Sequence, residues 1–285
     1  MTLRLTGRMT VVVCGPAAWN HLILLDRLPE PVPHMQFASA SVRTVGGTSA
    51  GKAVHLADAG VAVRLHALLG EDAEGAAVAE ALRRAEVEVV RHVSAVTEQH
   101  VNLMTAEGGR VSLYVATPSP VDESAVDTSL ADLATAEVAV VDLSVFGAEL
   151  IRRGVGAPVW TDLHDYDGSS AFHEPFLRAA DVVFMNDDAV DDPWALLRSC
   201  VDRGPHMAVC TRGAEGAIAL GADGTRYAVP AASVDVVDTN GAGDAFFAGF
   251  LAAHLAGADV DGGLAAGAQR AVVALESAHL HPALA

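Results

Sequence analysis

The 285-residue sequence predicts a doubly wound α/β sandwich. Short runs rich in β-branched residues recur along the chain and are almost continuously apolar, as strands covered on both faces must be. Amphipathic segments with helical spacing fall between them, and such alternation builds a parallel sheet with helices on its faces. Apolar residues make up 51% of the chain, enough for a sizeable core without disulfides or metal.

Strands are expected at residues 11–14, 61–69, 138–143, 159–162, 182–185 and 207–211. In "EDAEGAAVAEALRRAEV", Val78, Ala81, Leu82 and Ala85 share one helical face. "DDPWALLRSCVDRG" reads as a helix with Asp192 as N-cap, Pro193 at its first position and Gly204 as its stop. Two segments break the rhythm. Residues 21–45 are strand-like, punctuated by Pro29, Pro31 and Pro33, and have no helical period. "EQHVNLMTAEGGRVSLYVA" alternates apolar and polar residues around Gly108-Gly109, the pattern of a hairpin. These pieces can pair as a small sheet beside the main one. A second hairpin, "AIALGADGTRYAV", turns at Ala222-Asp223-Gly224. No repeat or linker divides the chain, so one unit over residues 1–285 is expected.

Charge excludes several functions. Eighteen basic residues face 36 acidic ones, a net charge of −18, which disfavours nucleic acid and anionic membranes as partners. The three cysteines form no CxxC pair and read as buried thiols of a reducing compartment. No run reaches the roughly 18 apolar residues of a membrane span. "MTVVVCG" is too short for a signal segment and reads as a first strand. A cytoplasmic location is the expectation.

The chemistry concentrates in "VVDTNGAGDAFFAGFLAAHLAG", residues 236–257. Strand residues lead through Gly241-Ala242-Gly243 into a long apolar helix. Small residues let the backbone approach an anion, and the first helical N–H groups point at it. Asp244 is out of place in a pure phosphate cradle, because a carboxylate repels phosphate. It fits a base that takes the proton of a hydroxyl attacking a phosphoryl group. A second stretch, "VGGTSAGKAVHL", matches the P-loop pattern G-x-x-x-x-G-K at Gly46, Gly51 and Lys52, the only lysine of the chain. Ala53 then stands where a P-loop needs a hydroxyl for Mg2+.

"DTNGAGDAFFAGFL" resembles the C-terminal signature of the ribokinase-like carbohydrate kinases. The likeness extends in order over nearly the whole chain: "CGPAAWNHLILLDRLP", "VGGTSAGKAVHLADAG", "LLGEDAEG", "FMND" and "TRGAEG" each resemble a motif of that family. It implies a three-layer α/β/α domain with a small β lid, formed by residues 17–45 and 97–117. It also implies transfer of the ATP γ-phosphoryl group to a hydroxyl of a sugar or sugar-like molecule, with Mg2+ and in some relatives K+. Asp244 would be the base, with the N–H groups of Gly241, Ala242 and Gly243 as the anion hole. Asn186, Thr211, Gly213, Gly216 and Asn240 would face the nucleotide, Gln269 the adenine, and Asp238 a monovalent cation. Asn20, Gly46, Gly47, His100, Asn102 and Asp162 would lie on the acceptor side. Pairing of two subunits through the lid is a further expectation.

Three positions depart from the family. Asn20 stands where its sugar kinases usually have Asp, Gly51 where they have Asn, and Ala189 where a Glu orders the water around Mg2+. Asp187, Asp188, Asp191 and Asp192 crowd the same turn, with none singled out as the substitute. Lys52, helped by Arg43, is the expected replacement for the lost anchors, through an acidic or phosphorylated acceptor. Asp162, His164, Asp165 and Asp167 read as a polar loop near substrate, with a metal site as the other option. Arg212 is left between the phosphates and solvent. Two further readings stay open: a nucleotide-binding homologue without turnover, and a nucleoside kinase of the same fold.

Overall fold

The computed structural model describes residues 10–105, 108–119 and 121–285. Its first half contains β1 (Thr10–Cys14), β2 (Ala18–Leu25), β3 (Ala40–Gly46), α1 (Thr48–Asp58), β4 (Ala62–Gly70), α2 (Ala73–Arg84), β5 (Glu88–Ser94), β6 (Glu98–Thr105), β7 (Arg110–Ala116) and α3 (Glu123–Leu133). The second half continues with β8 (Val138–Val141), α4 (Val145–Arg153), β9 (Val159–Asp162), α5 (Glu174–Ala179), β10 (Val182–Asn186), α6 (Pro193–Val201), β11 (Met207–Thr211), β12 (Ala217–Gly221), β13 (Arg226–Val229), α7 (Ala242–Leu255) and α8 (Val260–Leu275).

Nine strands form the main sheet in the order β13-β12-β11-β10-β9-β8-β1-β4-β5. Every pair from β11 to β5 is parallel, and β12 and β13 close one edge antiparallel. Alternate residues of β1 feed opposite cores, as the strand period requires. Val11 and Val13 pack with Val54 of α1, Leu82 of α2, Phe247 of α7 and Leu264 of α8. Val12 and Cys14 pack with Leu133 of α3, Leu150 of α4, Leu177 of α5 and Leu197 of α6. Helices therefore cover both faces and the three layers are present. The order reverses at β1, which lies between β4 and β8. In open sheets of this kind the crevice beyond the strand C-termini at the reversal holds ligands.

The strands expected at 159–162 and 207–211 form with those bounds. The run at 138–143 stops at Val141; Ser144 then caps α4 by accepting the Gly147 N–H at 2.8 Å. Asp192 caps α6 through the Ala195 N–H at 3.0 Å. Edge strand β5 was not anticipated, because its mixed burial gives no clean period.

A second sheet has the order β3-β2-β6-β7. β2 runs antiparallel to β3 and parallel to β6, with Asn20 opposite His100. β6 and β7 form the hairpin expected around Gly108-Gly109. On β6 burial alternates strictly, and the buried set is Glu98, His100, Asn102 and Met104. Three of those four are polar. A sheet that turns such a face inward is shaped to meet something other than a hydrophobic core. All three cysteines are buried and unpaired.

Candidate active site

A cavity of about 1860 Å³ follows the C-terminal ends of the parallel strands. Gly15 after β1, Leu143 after β8, Asp162 at the end of β9, Asn186 at the end of β10 and Thr211 at the end of β11 all line it. Asn20, Glu98, His100 and Asn102 line it from the small sheet, and Gly241–Asp244 from the start of α7.

The turn into α7 is set by Gly241, whose φ of 82° is the left-handed conformation glycine adopts without strain. Leu280 packs so closely there that a Cβ on Gly241 would lie 2.8 Å from it. Among the described residues, the N–H groups of Gly241, Gly243 and Asp244 have no protein acceptor, and that of Ala242 reaches Thr239 O only at 3.4 Å. Unsatisfied donors at a helix start, beside a cavity, form an anion-binding arrangement.

Asp244 sits within this arrangement. Its Oδ1 accepts hydrogen bonds from Lys52 Nζ at 2.9 Å and from the Thr48 hydroxyl. Its Oδ2 has no donor among the described residues. Burial pushes the Asp244 carboxyl up and the Lys52 charge opposes this, leaving it above its ordinary value. Asp162 is the contrast. Burial raises it too, but the nearby His164 and Lys52 outweigh that and hold it below its ordinary value. His164, at a positive φ of 52°, donates its N–H to Asp162 Oδ1 at 2.9 Å.

Several expected site residues are corrected by the structure. Lys52 does not reach an acceptor: it is 0% exposed and lies 3.0 Å from Asp142, 3.4 Å from Asp162 and 2.9 Å from Asp244. Its ammonium also donates to Thr48 Oγ1 and lies 5.0 Å from the Phe247 ring centroid. Burial works against that charge, but the Asp142, Asp244 and Asp162 carboxylates outweigh it and hold Lys52 protonated. Arg43 is exposed on β3, outside the cavity lining. The P-loop alternative also fails, because the stretch from Thr48 to Lys52 is already helix and offers no loop to cradle phosphate. Gly46 does not line the cavity; a Cβ there would lie 2.1 Å from the Asn20 amide, so it makes room for Asn20. Gly47 does line it.

Asn186, Thr211, Gly213, Gly216 and Asn240 also line the cavity. Gly216 has a φ of +86°, and a Cβ on it would meet Val229 O at 2.0 Å. Gln269 is exposed and outside the cavity. The lining face of α8 is Ala268, Ala271, Val272 and Leu275, a stripe at helical spacing that Gln269 misses by one position. Asp238 does not line the cavity, and its Oδ1 accepts the Asn240 N–H at 2.8 Å. Arg212 is engaged by Asp187 and Glu215.

No group of three or more His, Cys, Asp or Glu among the described residues is arranged to hold a metal ion. No helix of the described chain is long and apolar enough to cross a membrane. Sequence reasoning passed over three residues of the site: Asp142, Thr48 and Glu98. Asp142 carried a signal, since it follows an apolar strand in the same way that Asp162 ends "VWTD".

Fold and site together define a small-molecule kinase, a phosphotransferase whose acceptor is an alcohol group. Residues 176–282 match the family described as pfkB family carbohydrate kinase. The chain is 33% identical over 258 residues to the acarbose 7(IV)-phosphotransferase of Actinoplanes sp., covering 87% of this chain and 85% of that protein. It is 29% identical over 264 residues to an ATP-dependent ribose-1-phosphate kinase of Halopiger xanaduensis, covering 88% and 86%. A solved structure of a microbiome-derived acarbose kinase superposes with a TM-score of 0.81 at 30% identity, covering 98% of this chain and 96% of that one. The chain belongs to the pfkB family of carbohydrate kinases, ATP-dependent enzymes of ribokinase-like fold.

Proposed function

We propose that Asp244 is the general base of phosphoryl transfer from ATP to a sugar-like polyol that is uncharged or carries an amine, and not to a sugar phosphate. The observation that carries the base assignment is the free Asp244 Oδ2 beside unengaged N–H groups at the start of α7. Oδ2 takes the proton of the acceptor hydroxyl. The hydroxyl oxygen forms the new bond to the γ-phosphorus, and the bond from that phosphorus to the β,γ-bridging oxygen breaks, leaving its electron pair on ADP. The proton then passes to solvent. Preorganised N–H groups of Gly241, Gly243 and Asp244 stabilise charge on the moving phosphoryl group, the main demand of this chemistry.

Acceptor charge follows from what surrounds it. Glu98, Asp162, Asp165 and Asp244 line the cavity with Arg110, and His100 pairs with Glu98 at 2.7 Å. The one lysine is occupied by three carboxylates. A phosphorylated acceptor would meet net repulsion there. Two relatives act on acarbose and one on ribose-1-phosphate by their descriptions; the lining favours the first kind. Asn20 Oδ1 is buried with no donor among the described residues, and Asn20 lines the cavity. An acceptor hydroxyl would satisfy it, with His100, Asn102 and Asp162 as its neighbours.

The small sheet serves as the lid, which must exclude water because water is itself an acceptor. Asn186, Thr211, Gly213, Gly216 and Asn240 hold the nucleotide. Mg2+ enters as the counter-ion of ATP, and no K+ requirement is assigned to Asp238. The outward side of β7 exposes Val111, Leu113 and Val115, the surface through which two lids would pair. Dependence on ATP fits a cytoplasmic enzyme.

The test is ADP release with ATP and Mg2+ across neutral oligosaccharides, amino sugars and sugar phosphates. Turnover with a member of the first two groups is expected. A preference for sugar phosphates would contradict the acceptor assignment.

A further inference from the structure

The only lysine does not line the cavity; its ammonium lies behind the lining residues Thr48, Asp162 and Asp244. Lys52 lies in the second turn of α1, fully buried, with carboxylates reaching it from three other places in the fold. Asp142 follows β8, Asp162 ends β9 and Asp244 opens α7. Thr48, one turn earlier on α1, accepts from Lys52 and donates to Asp244 Oδ1. A buried charge is tolerated only when paired, and Lys52 is held on one oxygen of Asp244. Both donors fall on Oδ1. Oδ2 is left over Gly51, where a Cβ would lie only 2.9 Å away, so the absence of a side chain at Gly51 is what makes room for it.

We propose that Lys52 is a positioning residue: with Thr48 it clamps Asp244 Oδ1 and thereby presents Oδ2 to the acceptor hydroxyl. This rests on Asp244 being the base. The clamp acts through rotation of the carboxylate, which has one torsion to fix and two oxygens to choose between. It also acts through charge. Asp244 faces Asp162 and His164 from β9 and its following loop, and Lys52 and Thr48 from α1; Asp142, just after β8, shares the Lys52 ammonium with it. Lys52 is the counter-charge that allows three carboxylates to share this space.

Two variants separate positioning from charge balance. Lys52→Met removes the clamp and leaves the carboxylates uncompensated. Lys52→Met with Asp142→Asn removes the clamp and restores the net charge of the cluster, so it is the less destabilised of the two. Both are to be measured for ATP binding, for acceptor KM and kcat, and for kcat against pH. The expected result for the double variant is ATP affinity within about twofold of the parent and kcat lower by roughly 10²-fold, the cost of an ångström-scale misplacement. The acid limb of kcat is expected to move to higher pH in the single variant, by about one unit or more, because an opposite charge within hydrogen-bond reach lowers a carboxyl by that much. A double variant with the parent's kcat and pH profile would overturn the proposal and leave Lys52 as charge balance. Asp244→Asn, run alongside, separates the two levels. If it is inactive while the double variant is normal, only the clamp is wrong; if it is active, the base assignment is wrong first.

Discussion

Gly51 shows how much a single residue decides in this site. The family's sugar kinases resemble this chain around it but usually carry Asn there, and here any Cβ would press on Asp244 Oδ2 at 2.9 Å. Gly51 and Lys52 therefore go together: one makes room for the carboxylate, the other holds it. Restoring the family's residue by Gly51→Asn is expected to lower kcat by roughly 10²-fold with ATP affinity unchanged, read by steady-state kinetics and calorimetric titration of ATP. Undiminished kcat would show that the carboxylate has slack the packing does not suggest. The sequence marked Lys52 as unusual but could not say where its ammonium ends. That depends on Asp142, Asp162 and Asp244, the last 192 positions away, and on which side of α1 faces the sheet. Asp244 was legible because its whole context, turn and helix start, is local in the chain.

At the level of elements, α8 and the small sheet both line the cavity. Helical spacing turns Ala268, Ala271, Val272 and Leu275 to the cavity, on the side proposed to hold the nucleotide, while Gln269 faces solvent. Ala271→Trp is expected to raise the KM for ATP at least tenfold by filling that slot, whereas Gln269→Ala leaves it within about twofold, as exposed substitutions do. Equal effects of the two would put the helix face wrong. On the sheet, Asn20 stands opposite His100 and beside Gly46. Asn20→Ala is expected to raise the acceptor KM by roughly tenfold without touching that for ATP, about the worth of one buried hydrogen bond. The pairing of β2 with β6 spans two separated segments; the alternation in each was readable, their parallel union was not. The misplacement of Gln269 has the same origin: one residue of slippage rotates a helical side chain by 100°.

Over the whole molecule, the reversal of strand order at β1 gathers Asp142, Asp162, Asn186 and Thr211 along one rim of the sheet. The alternating sequence announced this architecture, since each apolar run had to be covered on both faces. Two buried histidines make the same fold sensitive to acid. His55 donates its Nε2–H to Leu280 O at 2.8 Å and so fastens the C-terminal segment that packs on Gly241. His66 sits on β4 among His92, Ser129 and Asp132. Burial lowers both to about 4. Between that value and about 6.5 the unfolded chain binds these protons and the folded one does not, so stability falls as pH drops through the window. Each contributes on the order of 3 kcal/mol at its limit. Urea denaturation is expected to show a lower midpoint at pH 4.5 than at pH 7; a midpoint unchanged or higher at pH 4.5 would contradict the buried neutral state of these rings.

Proton transfer to Asp244 is tested most directly by one comparison. Single-turnover phosphoryl transfer by Asp244→Asn, with ATP and an acceptor found by the ADP-release screen, is expected to be slower than the parent by roughly 10²- to 10⁴-fold while ATP binds as before. Transfer at the parent's rate would mean that no base acts at the start of α7.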